Sequence, residues 1–303
     1  MSFNIVGIGE VLWDLLPDGP QLGGAPANFA YHAQVLGANA SVITRVGNDL
    51  SGGKVRHRFR EMRLSVAGIQ QDDAAPTGTV SVSLTSGGIP AYVIHENVAW
   101  DYITASRDAL DCVRAANVVC FGSLAQRHVV SRQSIQRLLS SASATAWRVF
   151  DVNLRQKFYD QEVIEQSLKL SNVLKLNDHE LPVIAGMFSI DGDIRQQIQS
   201  LASRFALQVV ALTCGATGSL LYRDGHWSQG AATVVNVRDT VGAGDAFTAA
   251  LCLGLLRGLE LEEINSAANR IAAYVCGCAG AMPELPEELR RLLNPDPAAP
   301  AEV

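Results

Sequence analysis

The stretch Asp239-Thr240-Val241-Gly242-Ala243-Gly244-Asp245-Ala246-Phe247 is where this 303-residue chain concentrates its chemistry. An apolar run with β character, Thr233 to Val237, precedes it. A strongly apolar helical pattern follows through Ala249, Ala250, Leu251, Leu253, Leu255 and Leu256. Two glycines therefore stand where a loop becomes a helix N-terminus. The first amides of a helix have no partner inside it, and the helix dipole adds positive potential there. Such a turn is a ready site for phosphate, and glycine lets backbone approach the anion with no Cβ in the way. Phosphoryl transfer needs fixed donors of this kind more than it needs covalent chemistry. Asp245 is a carboxylate in the first turn, beside that anion hole, where it could take the proton of an attacking alcohol. Taken alone, an aspartate here is more simply a helix cap.

The elements that must position this loop are legible as alternating apolar runs and helical patterns. Strands are expected at Ile5 to Gly9, Ser41 to Val46, Asn117 to Phe121, Arg148 to Val152, Val173 to Leu176 and Gln208 to Thr213. Several are apolar throughout, as strands buried on both faces would be. Helices are expected at Pro26 to Leu36, Ser131 to Ser141, Val163 to Leu170, Gly242 to Arg257 and Leu261 to Cys278. Strands alternating with helices imply an α/β fold with a largely parallel sheet. Thr77 to Thr85 differs: Val80, Val82 and Leu84 alternate with Thr79, Ser81 and Ser83, Gly87-Gly88 offers a turn, and Ala91 to Ile94 returns. That is a half-exposed hairpin, which Trp13 to Leu16 could join to make a small sheet over a cleft. A second hairpin is expected at Leu220 to Trp227, turning at Asp224-Gly225.

Composition excludes several classes. The net charge is −6 and the charged fraction 18%, so no broad basic footprint for nucleic acid exists. The most basic stretch, Lys54 to Arg60, puts Val55, Phe59 and Met62 on one helical face and its charges on the solvated one. No apolar run is of membrane-spanning length and the N-terminus lacks a signal-peptide pattern, so the expected compartment is cytoplasmic. Six cysteines without a C-x-x-C pair, and six histidines without H-E-x-x-H, argue for buried thiols and against a zinc site. Gly7-x-Gly9 lacks the third small residue of a dinucleotide fingerprint, because Leu12 stands there. Gly47 to Val55 lacks the glycine and hydroxyl residue that a Walker A loop requires.

The nine-residue string resembles the C-terminal signature of the PfkB/ribokinase family of sugar and nucleoside kinases, matching it in full. The resemblance implies a ribokinase-like fold: a largely parallel central sheet flanked by helices, with a small β-sheet lid. It implies an anion hole at Gly242, Ala243 and Gly244, and Asp245 as the base. It also implies a monovalent cation, K⁺, held by backbone around Asp239 and Val241, with Gly280-Ala281-x-Pro283-x-x-Pro286 completing that site. Further matches run in family order from Gly9 to about Pro286. Gly23-Gly24-Ala25-Pro26-Ala27-Asn28 is similar to the first signature, which implies that Gly23 and Gly24 face a sugar ring and that Asn28 bonds its hydroxyls. Asp14 sits where relatives place a carboxylate for sugar hydroxyls. Asp151-Val152-Asn153-Leu154-Arg155 resembles a D-x-N-x-R segment in which Arg155 clamps phosphate or sugar. Asn177-Asp178-His179-Glu180 resembles an N-x-x-E element in which Glu180 organises Mg²⁺ through water. Thr213-Cys214-Gly215 with Gly218 resembles a nucleotide-side turn, and Asn269 falls in the helix that lines adenine.

The resemblance implies an ATP-dependent sugar kinase. Glu10-Val11-Leu12-Trp13-Asp14 and Ala99-Trp100-Asp101 are most similar to fructokinase-type members. Ribose, 2-keto-3-deoxygluconate and nucleosides remain alternatives, as does a non-catalytic sugar or nucleotide sensor on the same fold. One domain over 1–303 is expected, with lid strands from about 12–22 and 77–104 inserted and 294–303 as a frayed tail. Exposed lid edges make a homodimer through the lid a further expectation.

Overall fold

A computed structural model describes residues 2–84, 90–233 and 235–293. The first strands are β1 (Asn4–Ile8), β2 (Leu12–Leu16), β3 (Gly19–Gly23), β4 (Asn39–Gly47), β5 (Ile69–Asp72), β6 (Gly78–Leu84) and β7 (Pro90–Ile94). After them come β8 (Val118–Phe121), β9 (Trp147–Asp151), β10 (Val173–Asn177), β11 (Val209–Thr213), β12 (Ser219–Arg223) and β13 (His226–Gly230). The helices of the first half are α1 (Ala25–Val35), α2 (Leu50–Glu61), α3 (Arg107–Arg114) and α4 (Val129–Ser140). Those of the second half are α5 (Gln161–Leu170), α6 (Glu180–Met187), α7 (Ile194–Phe205), α8 (Ala243–Arg257), α9 (Leu261–Cys276) and α10 (Glu287–Arg291).

Nine strands form one sheet in the order β13-β12-β11-β10-β9-β8-β1-β4-β5. Every pair from β11 to β5 is parallel, and β12 and β13 add an antiparallel edge. The apolar strands lie in the middle because both faces are covered. Successive side chains point to opposite faces: Val118 and Cys120 pack toward α1, α8 and α9, while Val119 and Phe121 pack toward α4 and α5. The helix ends carry local stop and start signals. Pro26 stands in the first turn of α1, Asp49 accepts from the Gly52 amide at the start of α2, and Gly258 ends α8 in the left-handed conformation. Among the described residues no helix is long and apolar enough to cross a membrane.

A second sheet has the order β3-β2-β6-β7, with β2 and β6 parallel and the other pairs antiparallel. Trp13 to Leu16 thus joins the hairpin as expected. The Gly87-Gly88 turn and the 294–303 tail lie outside the described residues. The hairpin at Asp224-Gly225 forms as β12 and β13. Some bounds differ from expectation: α4 and α5 each begin two residues early, at Val129 and Gln161. Leu261 to Cys278 stops at Cys276. The residues described within Thr233 to Val237 form no strand, because β13 ends at Gly230 and none of the described residues pairs beyond it. Val237 is instead exposed, and the amides of Arg238 and Asp239 bond Cys276 O.

The small sheet is anchored at a buried joint. Arg127 donates to both oxygens of Asp101 at 2.8 and 2.9 Å, stacks 3.9 Å over the Trp100 ring, and donates to His95 O just past β7. Both members of the pair are buried. Removing one partner of a buried pair leaves an uncompensated charge. Asp101→Ala is therefore expected to lose about 3–5 kcal/mol in urea unfolding; a loss too small to measure would show that the joint does not hold the small sheet.

Candidate active site

The glycine string folds into the start of α8. Gly242 is the residue before the helix, with φ 80°, and the helical ladder begins when the Ala246 amide bonds Gly242 O at 2.9 Å. The amides of Gly244 and Asp245 therefore lie ahead of the ladder, at the positive end of a fifteen-residue helix. A Cβ on Gly242 would sit 2.5 Å from Ala281 O, so only glycine permits this approach. The 280–284 segment is itself pinned by α1: His32 Nε2 lies 2.9 Å from Ala281 O, and the Tyr31 hydroxyl donates to Pro283 O.

Helix α1 brings the N-terminal residues to the same place. Buried Asn28 donates from Nδ2 to Asp245 Oδ2 at 2.8 Å, across 217 residues of sequence. Its Oδ1 is buried without a partner. Asp14 on β2 rests its carboxylate where a Cβ on Gly23 would be, and a Cβ on Gly24 would strike Glu10 O. Asp14, Gly23, Gly24, Asn28 and Asp245 thus converge. The space beside Asp245 is lined by Ala25, Pro26, Phe29, Cys120, Gly122 and Asp151, among others.

Burial dominates the electrostatics here. It pushes the Asp245 carboxyl up to about 6; nearby Asp151 pushes the same way, and Asn28, Lys175 and Arg155 oppose it. Burial raises Glu10 to about 7, partly offset by Arg155, and raises Asp14 against the same opposing charge. Arg155 is exposed, in a loop where Asn153 and Gln156 have positive φ, and Gln156 Nε2 reaches Tyr92 O on the small sheet.

The remaining expected residues are placed as follows. Asn177 ends β10, and its Oδ1 accepts from the His179 and Glu180 amides. Glu180 is buried, with one oxygen on the Leu154 amide and the other on the Asn177 amide, both at 2.9 Å. Thr213 ends β11, and Gly215 and Gly218 follow with positive φ. Asn269 of α9 is buried in a network with Ser219 and Asn265, tying α9 to β12. An open depression beside it is lined by Gly230, Thr233, Ser266 and Arg270. Asp239 accepts from the Val241 and Gly280 amides, so the expected cation loop and the downstream segment do meet.

Sequence reasoning passed over three residues. Lys175 Nζ lies 3.0 Å from Asp151 Oδ1, buried directly behind Gly244, where a Cβ would come within 2.9 Å of it. The Thr248 hydroxyl lies 2.8 Å from Asp151 Oδ2 and 2.9 Å from Gly244 O. Glu10 keeps Oε2 buried and unpartnered. A lysine amid Val173, Leu174 and Leu176 was the available signal for the first.

A parallel sheet with a glycine-rich helix start, a buried carboxylate beside it and a small second sheet is the architecture of a small-molecule kinase. The pattern of the pfkB family of carbohydrate kinases matches residues 20–288. The chain is 30% identical over 303 residues to a fructokinase of Escherichia coli, covering 94% of this chain and 97% of that one. It is 31% identical over 312 residues to a fructokinase of Klebsiella pneumoniae, covering 97% and 100%. The crystal structure of PH1459 from Pyrococcus horikoshii, described as an uncharacterized sugar kinase, superposes with a TM-score of 0.82 at 30% identity, over 96% of this chain and 99% of that one. This chain belongs to the pfkB family of carbohydrate kinases and is an ATP-dependent sugar kinase.

The close approach at Gly242 can be tested directly. Gly242→Ala is expected to lose about 1–3 kcal/mol of stability from backbone strain alone. Unchanged urea unfolding would mean that the loop does not press on Ala281.

Proposed function

We propose that this kinase transfers the γ-phosphoryl group of ATP to the primary hydroxyl of a small neutral sugar, fructose being the acceptor best supported. The observation that carries the reading is Asp245, desolvated beside the free amides of α8 and oriented by Asn28. In this reading Asp245 takes the hydroxyl proton as the sugar oxygen bonds to phosphorus and the bond to ADP breaks. The loop at Gly242, Ala243 and Gly244 forms the anion hole through the free amides of Gly244 and Asp245, since the Ala243 amide is drawn to Thr240 O, and Arg155 adds charge from the loop facing the small sheet. Asp14, Gly23, Gly24 and Asn28 hold the sugar. Closure of the small sheet as a lid would exclude water that otherwise attacks ATP.

Neutral sugar is favoured by the charges. Asp14 and Asp245 face the acceptor space, and Arg155 is the cation whose charge reaches both. A sugar acid would meet two carboxylates with one exposed arginine to offset them. The fructokinases of E. coli and K. pneumoniae, at 30% and 31% identity, support the same acceptor.

ATP fits the cradle: its phosphates would meet the Gly244 and Asp245 amides, and its base the face of α9 near Arg270, with Thr213, Gly215 and Gly218 between. PH1459 has been solved in complex with ATP. Asn269 then supports that face from behind, because its amide is engaged with Ser219 and Asn265. Mg²⁺ would neutralise phosphate charge when bound. No cluster of three or more acidic, histidine or cysteine ligands exists among the described residues, so it would arrive on ATP, and Glu180 could touch it only through water. K⁺ would take backbone carbonyls around Asp239 and Val241. Leu15, Tyr92 and Val93 are exposed on the small sheet and would lie in a homodimer interface; light scattering at the monomer mass would exclude it.

The test is ADP release against fructose, ribose, 2-keto-3-deoxygluconate, glucose and adenosine, with Asp245→Asn as control. Fructose is expected to lead, and the variant to lose roughly 10²–10⁴-fold in kcat while folding normally. Normal turnover by Asp245→Asn would remove the base assignment. Preference for 2-keto-3-deoxygluconate would overturn the neutral-sugar reading, and sugar binding without turnover would favour a sensor. Because Asp245 acts deprotonated and its carboxyl sits at about 6, kcat/KM should fall as pH drops through that value. A rate flat down to the ordinary carboxylate range would contradict this. Replacing Na⁺ by K⁺ should raise kcat; identical rates would remove the cation from the account.

A further inference from the structure

Three buried groups outside the substrate-binding set converge behind the anion hole: Asp151 on β9, Lys175 on β10 and Thr248 on α8. The parallel register places Lys175 directly beside Asp151, and Nζ meets Oδ1 at 3.0 Å with both side chains about 8% exposed. The other oxygen of Asp151 lies 2.8 Å from the Thr248 hydroxyl, which is also 2.9 Å from Gly244 O, so its single hydrogen is shared between two acceptors. The chain therefore runs from an ammonium, through a carboxylate and a hydroxyl, to the first turn of α8. Lys175 Nζ stands so close behind Gly244 that a Cβ there would approach it to 2.9 Å.

This arrangement is a poor way to gain stability. Strand neighbours Val173, Leu174, Leu176, Val149 and Phe150 are apolar and fully buried. A buried ion pair is often no more stabilising than well-packed apolar residues of the same volume. Its retention in an apolar layer, touching the catalytic turn from below, points to a role in the reaction.

We infer that Asp151 and Lys175 form a positioning pair for phosphoryl transfer, holding the anion-hole turn through Thr248 and setting the charge balance under which Asp245 works. The inference rests on the reading of Asp245 as base. Asp245 is faced by Asn28 from α1, Glu10 after β1, Cys120 from β8, Asp151 from β9, Arg155 from the loop beyond it, and Lys175 from β10. Cys120 and Cys252 are kept neutral by burial. Asp151 repels the charged form of Asp245 more strongly than Lys175 favours it, so the two charges act in opposite directions on one proton.

Opposite directions make the test specific. The acidic limb of kcat/KM against pH would be measured for wild type, Lys175→Met and Asp151→Asn. Without Lys175 the Asp245 carboxyl rises, so the limb is expected to move to higher pH by roughly one unit. Without Asp151 it falls, so the limb moves to lower pH by a similar amount. A merely structural role would lower rates and leave the limb in place. Limbs that stay put, or move the same way, overturn the inference.

Should a single variant not fold, the double variant leaves no unpaired buried charge, and its limb is expected below that of wild type; a limb at or above wild type overturns the inference. Thr248→Val keeps both charges and the shape. It should lower kcat roughly ten- to a hundredfold with both KM values little changed; unaltered kcat removes Thr248 from the device. If Asp245→Asn retains activity, the base reading itself has failed. If Asp245→Asn is inactive and the limbs do not separate, only the pair has failed.

Discussion

The hydrogen bond from Asn28 to Asp245 joins residues 217 positions apart and fixes the relation between the two halves of the chain. It exists because α1 and α8 pack side by side on one face of the large sheet, through Ala27, Ala30 and Phe29 on one helix and Phe247, Ala250 and Leu251 on the other. The alanines among them, Ala27, Ala30 and Ala250, leave room for the helices to approach until their polar N-terminal turns meet. The chain before α1 contributes Asp14, Gly23 and Gly24, the residues of the small sheet and the turn after it. The loop before α8 contributes Gly242 and the first amides of the helix, which lie ahead of its ladder. A shift of either helix would separate acceptor groups from donor groups.

The same packing sets the chemistry of Asp245. A carboxylate at a helix N-terminus in water would be an ordinary acid, stabilised as an anion. Here desolvation outweighs that help, and Asp151 adds repulsion, so the carboxyl is held at about 6. Such a group is deprotonated at neutral pH and more basic than a solvated carboxylate, which suits proton abstraction from an alcohol. The surrounding carboxyls are arranged around few cations: Lys175 is bound to Asp151, and Arg155 faces Glu10, Asp14 and Asp245 from the surface.

Much of this was legible in the sequence, for physical reasons. Strands such as Val118–Phe121 and Val209–Thr213 are covered on both faces and must be apolar throughout, so composition alone marks them. The α1 and α8 boundaries follow from Pro26, Gly242 and Gly258, whose backbone requirements are local. What failed to show was whatever depends on a distant partner. β3 is a short polar edge, legible only as part of the 12–22 segment, because its bounds are set by pairing with β2. Thr233 to Val237 has the composition of a strand, but among the described residues none beyond Gly230 finds a pairing neighbour. Lys175 is one charge in an apolar strand, and only the register that sets it against Asp151 gives it a partner. Asn269 is expected on the helix that lines adenine, and its amide is drawn inward by Ser219 of β12 and Asn265 of α9.

Burial beside α8, rather than the ordinary acidity of an aspartate, governs Asp245. A carbon-13 NMR titration of the aspartate carboxyls, with Asp245 assigned by its loss in Asp245→Asn, measures this without reference to any substrate. A midpoint near 6 is the predicted result. A midpoint at or below the usual 3.8 would mean that the carboxylate is solvated in the folded protein, and the account of its basicity would be wrong.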